Sequence, residues 1–229
     1  PNIQAEPAFQ KGWSEIQDEG SQMVALLSGA KPGQNVLDYC AGGGGKTLAL
    51  ASHMGNKGQI HATDSDKARL APIFERLKRA ETRNVQVHPA KSDLTSLESA
   101  MDLVLIDAPC TGAGTWRRRP DAKWRLSQSQ LDQRVNEQAS ILEKAKAFVK
   151  PGGRIAYITC SVFEAENAGQ VRRFLGANAD FKAIDPKSLM LALLPALPAE
   201  AVLLSPQGLT LTPLRTGTDG FFLSVLQKS

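Results

Sequence analysis

Leu103-Val104-Leu105-Ile106-Asp107-Ala108-Pro109-Cys110-Thr111-Gly112 is the stretch of sequence that decides the fold. Its four leading aliphatic residues predict a strand that is buried on both faces, as the strands of parallel sheets are. The strand ends before Pro109, because proline lacks the N–H group that a central strand donates to its neighbour. Ligands of open α/β sheets bind beyond the carboxyl ends of the strands, so Asp107 and Cys110 lie where we expect chemistry.

The composition is that of an ordinary globular protein, since 42% of the 229 residues are hydrophobic and 22% are charged. This length suits one domain of substantial size with a short appendage. We expect a helical lead-in over residues 1–30, followed by the main domain over residues 31–229. The formal net charge of +4 is a mild indication of an anionic partner.

Cysteine usage and hydropathy indicate where the protein works. Three cysteines without metal-ligand spacing predict free thiols, no metal site and a reducing, cytoplasmic setting. Residues 1–19 lack the apolar core of a signal peptide, and prolines and a glutamate interrupt the longest apolar stretch, residues 189–204. We therefore expect no membrane span. The chain starts at Pro1 without Met, which raises the expectation that an N-terminal domain is missing.

Strands and helices alternate along most of the chain. Short apolar runs predict strands at 35–40, 58–63, 84–88, 102–106 and 154–159, and helices are expected at 14–27, 47–53, 66–80, 130–150 and 161–176. This alternation predicts right-handed crossovers and a mostly parallel, three-layer sheet. Residues 181–184 and 221–226 predict two further strands, whereas residues 185–213 allow no assignment. The strand ends that then share one rim are Cys40, Asp64, Asp107 and Cys160.

A glycine run at residues 42–45 follows the first strand and precedes a helix. Glycines let a ligand approach the backbone and the free amides of a helix N-terminus, although a plain tight turn is the alternative. A phosphate-binding P-loop is a second alternative, since Gly45-Lys46-Thr47 matches the end of that motif, but Cys40 stands where its first glycine belongs. Asp64 lies roughly 20 residues further on, where a carboxylate can hold the hydroxyls of a cofactor's ribose. Otherwise Asp64 is a helix N-cap.

Other candidates have equally plain alternatives. Asp93 either lies near the adenine of a nucleoside cofactor or simply caps a turn before Leu94. Lys46 either reaches the site beside the glycine run or is a solvated helix residue. A free cysteine is often just a small buried hydrophobe, which is the interpretation that we prefer for Cys40.

Cys110 and Cys160 follow strands that we expect to be neighbours, and two thiols beside Asp107 indicate chemistry. Ser161-Val162-Phe163-Glu164 has the pattern of a capping box, and a thiol just before a helix N-terminus has a depressed pKa.

Residues 111–129 predict a long polar, basic loop. Within residues 115–134, six basic side chains face two acidic ones, a surplus of +4 that equals the net charge of the chain. Basic residues follow a phosphate backbone and aromatic residues stack on bases, so the loop favours a nucleic acid. The alternative is a solvated loop whose tryptophans fold into the core. The candidate contacts are Trp116, Arg117, Arg118, Arg119, Lys123, Trp124 and Arg125.

Several motifs together resemble the Fmu/Sun (RsmB-like) branch of the RNA cytosine-C5 methyltransferases. They are Asp102-Leu-Val-Leu-Ile-Asp-Ala-Pro-Cys-Thr-Gly, Arg118-Arg-Pro-Asp, Lys150-Pro-Gly-Gly-Arg, Tyr157-Ile-Thr-Cys-Ser, Gln17-Asp-Glu-Gly-Ser-Gln and Thr218-Asp-Gly-Phe-Phe. The resemblance covers nearly the whole chain, and the combination of Pro-Cys and Thr-Cys motifs is highly specific. It implies a Rossmann-like class I methyltransferase over residues 31–229, with a mostly parallel sheet, helices on both faces and an antiparallel last strand.

The resemblance also implies a cofactor, a substrate and roles. Cys160 would be the nucleophile, attacking C6 of a cytosine so that C5 accepts the methyl group. Cys110 would assist release, and Asp107 would hydrogen-bond the base. Ribosomal RNA, 16S above all, is the expected substrate and transfer RNA the second, for an enzyme that we expect to be a monomer. S-adenosylmethionine would be held by Cys40, Ala41, Gly42, Gly43, Gly44, Gly45, Lys46, Asp64, Asp93 and Asp107.

Two departures from the family pattern have physical consequences. Gly42 and Gly43 stand where the family usually has Ala-Pro, and a glycine loses more entropy than proline when a loop is ordered, by roughly 1 kcal/mol. We therefore expect weaker cofactor binding than usual. The second departure is that these 229 residues do not include the added RNA-binding domain that is common in relatives, which fits the expectation of a fragment.

The alternative functions in other classes are a P-loop NTPase, a DNA cytosine methyltransferase and a non-catalytic RNA-binding subunit.

Overall fold

The computed structural model describes residues 2–229 as a mixed sheet with helices on both faces. The strands within this range are β1 Asn35–Asp38, β2 Gln59–Thr63, β3 Val85–His88, β4 Met101–Asp107, β5 Val149–Thr159, β6 Phe181–Ala183, β7 Leu203–Ser205, β8 Gly208–Leu211 and β9 Phe221–Lys228. Their order in the sheet is β3-β2-β1-β4-β5-β9-β8-β7, and β6 pairs with β9 outside this path.

The helices are mostly short. They are α1 Pro7–Gln10, α2 Glu19–Leu27, α3 Gly45–His53, α4 Lys67–Leu70, α5 Ile73–Arg79, α6 Ala122–Arg125, α7 Gln128–Ala145, α8 Ala168–Ala177, α9 Pro186–Leu193 and α10 Pro213–Thr216. No helix within residues 2–229 is long and apolar enough to cross a membrane.

The sheet has the expected mixture of directions. Strands β1 to β5 are parallel, and β9 runs antiparallel to β5. Strand β4 lies between β1 and β5, where Val104 pairs with Leu37 on one side and Ile155 on the other. All four aliphatic residues of β4, 103–106, have no exposed surface. The predicted mostly parallel sheet with an antiparallel last strand is therefore confirmed.

Each face of the sheet has its own apolar core, because successive side chains of a strand point to opposite faces. Leu103 and Leu105 of β4 pack into a cluster that also contains residues of α2 and α3. Val104 and Ile106 pack into the opposite cluster, which contains residues of α7 and α8. This arrangement confirms the predicted three layers, and it leaves the carboxyl ends of β1, β2, β4 and β5 as a shared rim.

Several predicted helix boundaries are wrong, and the predicted helix over residues 14–27 begins only at Glu19. The helix predicted over residues 130–150 ends at Ala145, and Pro151-Gly152-Gly153, the predicted stop signal, lie within β5 because this segment pairs with β4. There they form an irregularity between the pairs Met101–Val149 and Leu103–Arg154, with Gly152 in the left-handed region at φ +74°. The predicted helix over residues 66–80 is in fact two helices, α4 and α5, separated at Pro72.

The predicted capping box at residues 161–164 does not begin a helix, and α8 begins only at Ala168. Ser161 Oγ accepts the Phe163 amide at 3.1 Å, but its own hydroxyl hydrogen goes to the buried carboxylate of Glu166. The reciprocal partner Glu164 instead pairs with Arg172. Residues 185–213, which the sequence left unassigned, form α9 and the hairpin of β7 and β8.

Candidate active site

The glycine turn between β1 and α3 requires glycine at one position for steric reasons. Gly44 is the N-cap of α3 and has φ +84°, and a Cβ there would lie 2.5 Å from Ile73 Cγ1. Gly42 also lies in the left-handed region, at φ +49°. The carbonyl of Gly43 accepts a hydrogen bond from Arg76 Nη1 at 2.7 Å. The turn is thus free of side chains, and the hydrogen bond from Arg76 of α5 fixes its backbone.

Asp64 anchors the same turn from the end of β2. Its Oδ2 accepts the Gly42 amide at 2.9 Å and its Oδ1 accepts the Asp66 amide at 2.9 Å, while the side chain is buried. The cap of α4 is Asp66, whose carboxylate accepts the amides of Ala68 and Arg69. Asp64 is therefore not a helix N-cap, and its place beside the glycine turn agrees with the ribose-binding interpretation.

Lys46 points into the site and is not solvated. Its side chain is 8% exposed and its Nζ lies 2.7 Å from Asp107 Oδ2. The ammonium group also lies 5.2 Å from the centroid of the Phe221 ring. The first helical turn after the glycines thereby places a buried cation against the carboxylate that ends β4.

Asp38 is a buried carboxyl group that was not among the site residues predicted from the sequence. It is fully buried at the end of β1, where Oδ2 accepts a hydrogen bond from Thr47 Oγ1 at 2.7 Å. Within residues 2–229, its Oδ1 has no hydrogen-bond partner. Burial raises the pKa of Asp38 to about 7, with a further contribution from Asp107. The signal in the sequence was an acid that directly follows two buried aliphatic residues, Val36-Leu37.

Cys110 and Cys160 lie in contact at the ends of neighbouring strands, with 3.3 Å between their Sγ atoms. Their mutual hydrogen bond and burial raise the pKa of Cys110 well above the usual value. The same hydrogen bond lowers the pKa of Cys160, and the charge of Lys46 contributes in the same direction. The pair therefore favours a thiol at Cys110 and a thiolate at Cys160. The depression that we attributed to a helix N-terminus after Cys160 has this different cause.

Cys40 and Asp93 have more ordinary surroundings. Burial raises the pKa of the Cys40 thiol, as expected for a packing residue. Asp93 is exposed, and its Oδ1 accepts the amide of Thr95 at 2.9 Å, so that it caps the turn before a 3-10 helix. A role for either residue in cofactor binding remains a prediction.

The basic loop divides into an anchored part and an exposed part. Arg118 makes a double hydrogen bond to the buried carboxylate of Asp219, and Arg117 lies 3.6 Å from the same side chain. Trp116 packs edge-on against Phe163 with 5.8 Å between ring centroids. These three side chains therefore hold the loop to the body of the protein.

Trp124 belongs to the exposed part of the loop. It is 80% exposed, with Lys123 Nζ 4.5 Å from its ring centroid. Arg125, the last residue of α6, pairs with Asp121, the N-cap residue of that helix. A cavity of about 420 Å³ beside Cys110 is lined in part by Arg119, Arg125 and Arg134.

Within residues 2–229, no group of three or more metal-ligating side chains is present. The rim is instead a set of carboxylates, one buried lysine and two thiols in contact.

Comparison with known proteins identifies related chains. The family model described as 16S rRNA methyltransferase RsmB/F matches residues 25–227. A probable ribosomal RNA small subunit methyltransferase B from Synechocystis sp. is 32% identical over 235 aligned positions, which cover 97% of this chain and 49% of the relative. The chain spans about half the length of the curated relatives that it matches.

Two solved structures from Pyrococcus horikoshii share the fold over the whole chain. A methyltransferase homolog protein is 30% identical with a TM-score of 0.80, and 72% of its own chain is covered. NSun6, solved with SFG, is 26% identical with a TM-score of 0.81, and 56% of its chain is covered.

Proposed function

The chain belongs to the 16S rRNA methyltransferase RsmB/F family, and we propose that it transfers a methyl group from S-adenosylmethionine to C5 of a cytosine in RNA. The observation that carries this proposal is the contact between Cys110 and Cys160, 3.3 Å apart at the ends of adjacent strands. Two thiols of opposite pKa shift beside a lysine–carboxylate pair suit a reaction that forms and then breaks a bond between sulfur and carbon.

The residues at the glycine turn fit S-adenosylmethionine. The turn carries no side chain over residues 42–45, so its backbone is open to close approach. Asp64 uses one lone pair of each oxygen for an amide, and a carboxylate can accept further hydrogen bonds from ribose hydroxyls. When bound, the cofactor supplies an electrophilic methyl group. We propose that Cys40, Ala41, Lys46, Asp93 and Asp107 complete this site.

The thiol pair supports covalent activation of the base. Attack of the Cys160 thiolate on C6 makes C5 electron-rich, so that C5 can take the methyl group. Asp107 has one oxygen held by Lys46 Nζ, which leaves the other to accept from the N4 amino group of the cytosine. A base takes the C5 proton, the electrons of the C5–H bond restore the C5–C6 double bond, and Cys160 leaves C6 as a thiolate, to which the Cys110 thiol donates a hydrogen bond. The target base must leave its stack to reach the rim.

Two variants test the roles of the thiols. Cys160→Ala should abolish both methyl transfer and the covalent RNA adduct, because no nucleophile remains. Cys110→Ala should accumulate the adduct, because release is impaired. The assays are incorporation of labelled methyl groups and a denaturing gel of the protein–RNA adduct. Normal turnover by Cys110→Ala would exclude its release role. A thermal shift with S-adenosylhomocysteine but not with ATP–Mg would exclude a P-loop NTPase, since only a bound ligand stabilises.

We propose that the exposed part of the basic loop holds the RNA strand next to the target. Trp124→Ala should weaken RNA binding by about 1–3 kcal/mol, the usual contribution of one stacked base. Trp116→Ala should instead lower the melting temperature, because this side chain packs on Phe163. Arg119, Lys123 and Arg125 would bind phosphates, whereas Arg117 and Arg118 would act mainly by fixing the loop. Equal RNA affinity of Trp124→Ala and the unchanged protein would contradict this assignment.

The RNA that we propose is 16S ribosomal RNA, because the family model is described as a 16S rRNA methyltransferase and the curated relatives are named ribosomal RNA small subunit methyltransferase B. Transfer RNA is the second candidate. Mapping of 5-methylcytosine in RNA from cells that lack the protein distinguishes the two. We further propose that the chain acts as a cytoplasmic monomer, with residues 31–229 as the catalytic domain and residues 1–30 as a helical lead-in. Sedimentation equilibrium tests the monomer.

A further inference from the structure

Glu166 is a buried carboxylate that lies outside the reaction described above. It has no exposed surface, and it follows the segment after β5 in a 3-10 turn. Its two oxygens accept four hydrogen bonds, all from uncharged groups. The donors are the Thr111 amide at 2.8 Å, Thr111 Oγ1 at 2.6 Å, Gln138 Nε2 at 3.0 Å and the Ser161 hydroxyl. A buried carboxylate with so many donors compensates its cost of desolvation by hydrogen bonds.

These donors connect Glu166 to both thiols. Thr111 directly follows Cys110, and Ser161 directly follows Cys160. One carboxylate therefore joins two loops that are 50 residues apart in sequence, at the positions next to the reacting sulfurs. A further bond supports the Cys110 side, because Gln138 Nε2 also donates to the Pro109 carbonyl at 3.0 Å.

The residue after Glu166 completes the support of the Cys160 loop. Asn167 Nδ2 donates to the Ser161 carbonyl at 3.0 Å, and its Oδ1 accepts from Thr159 Oγ1 at 2.5 Å. The Glu166 carbonyl accepts from the buried hydroxyl of Tyr157 at 2.6 Å. The backbone of Glu166 is thus also held by a hydrogen bond from β5.

We propose that Glu166 is a positioning residue that holds the Cys110 and Cys160 loops together and fixes the distance between their sulfurs. This inference rests on the proposed function only where it concerns turnover. Glutamine cannot replace glutamate here, because its NH₂ group would face donors where an acceptor is required. Reactions are sensitive to such placement, since a shift of about 1 Å can cost roughly 100-fold in rate.

The test compares Glu166→Gln with Glu143→Gln, which alters a carboxylate that joins α7 to Asn178 and contacts neither thiol loop. The first measurement needs no RNA. Hydrogen peroxide converts two neighbouring thiols to a disulfide and is itself reduced to water, and peptide mass spectrometry follows the Cys110–Cys160 cross-link. We expect this cross-link to form at least tenfold more slowly in Glu166→Gln, and at the unchanged rate in Glu143→Gln.

The second measurement is turnover with saturating S-adenosylmethionine and RNA. We expect kcat to fall roughly 100-fold in Glu166→Gln, with KM for S-adenosylmethionine unchanged because the glycine turn is intact. If Glu166→Gln does not fold, Thr111→Val removes the Oγ1 bond alone and should slow both the cross-link and turnover. A wild-type cross-linking rate in a folded variant overturns the positioning role. Absence of methyl transfer by the unaltered protein would overturn the proposed function and leave the cross-linking comparison intact.

Discussion

Replacement of Asp38 by asparagine should remove a pH-dependent penalty from the folded state. The Asp38 carboxyl is fully buried, and only Oδ2 has a hydrogen-bond partner, Thr47 Oγ1. Burial raises its pKa from 3.8 to about 7, with Asp107 and Asp64 adding to the rise and Lys46 opposing it. Asparagine keeps the shape and an oxygen for Thr47, but it has no proton to lose.

The sign and size of the effect follow from proton linkage. Between the unfolded pKa of 3.8 and the folded pKa of about 7, the unfolded chain has lost the Asp38 proton and the folded chain retains it. The free energy of unfolding therefore falls by about 1.4 kcal/mol for each pH unit in this window. The stabilisation that comes from keeping Asp38 protonated is fully present below the unfolded pKa. Above the folded pKa, about 4 kcal/mol of the free energy of unfolding has been lost.

Urea unfolding near pH 5 and near pH 8 measures this difference. The unaltered protein should lose about 3 kcal/mol more stability over that interval than Asp38→Asn does. Asp132→Asn, at an exposed position of α7, serves as the control and should follow the unaltered protein. Parallel pH profiles for the unaltered protein and Asp38→Asn would show that Asp38 ionises normally and would refute the reasoning.

Two further predictions concern the neighbours of the glycine turn. Lys46→Gln removes a cation that helps to lower the pKa of Cys160. The pH at which Cys160 is alkylated by iodoacetamide at half its maximal rate, measured by mass spectrometry, should therefore rise. The same pH in the variant and the unaltered protein would contradict this prediction. Arg76→Ala removes the 2.7 Å hydrogen bond to the Gly43 carbonyl and should weaken binding of S-adenosylhomocysteine by about 1 kcal/mol, roughly fivefold. Gly43→Pro should restore most of that loss by stiffening the turn. Strict additivity in the calorimetric double-mutant cycle would argue against a shared effect on the turn.

Local patterns predicted the parallel half of the sheet because each of its strands carries its own signal. The aliphatic run 103–106 needs burial on both faces, and only a central strand provides it. The hairpin of β7 and β8 was not predictable in this way. Its place depends on pairs with β9, such as Leu209 with Leu223, which no local window contains. The many leucines of residues 185–213 show no period that distinguishes helix from strand.

The candidate site was predictable at the strand ends and not beyond them. Asp64, Asp107 and Cys160 could be placed from strand order alone, because parallel strands end at one rim. The role of Glu166 could not, since its burial depends on Thr111 and Ser161, which arrive from separate loops. The contact between Ser161 and Glu166 also explains why residues 161–164 do not form the predicted capping box. The Ser161 hydroxyl donates to the buried carboxylate, so tertiary structure fixes its position.

The contact between the two sulfurs is nearly symmetrical, so their different roles need a cause in their surroundings. Their mutual hydrogen bond shifts the two pKa values in opposite directions, but either sulfur could be its donor. The charge of Lys46 lowers the pKa of Cys160, which burial and Asp107 raise, whereas the charge of Glu166 adds to the rise in the pKa of Cys110. The proposed nucleophile is therefore the thiol whose pKa is lowered by the hydrogen bond from its partner and by the charge of Lys46. Glu166 has two effects in this proposal: its hydrogen bonds hold the loops of the two sulfurs together, and its charge adds to the rise in the pKa of Cys110 that the Cys160 hydrogen bond and burial cause.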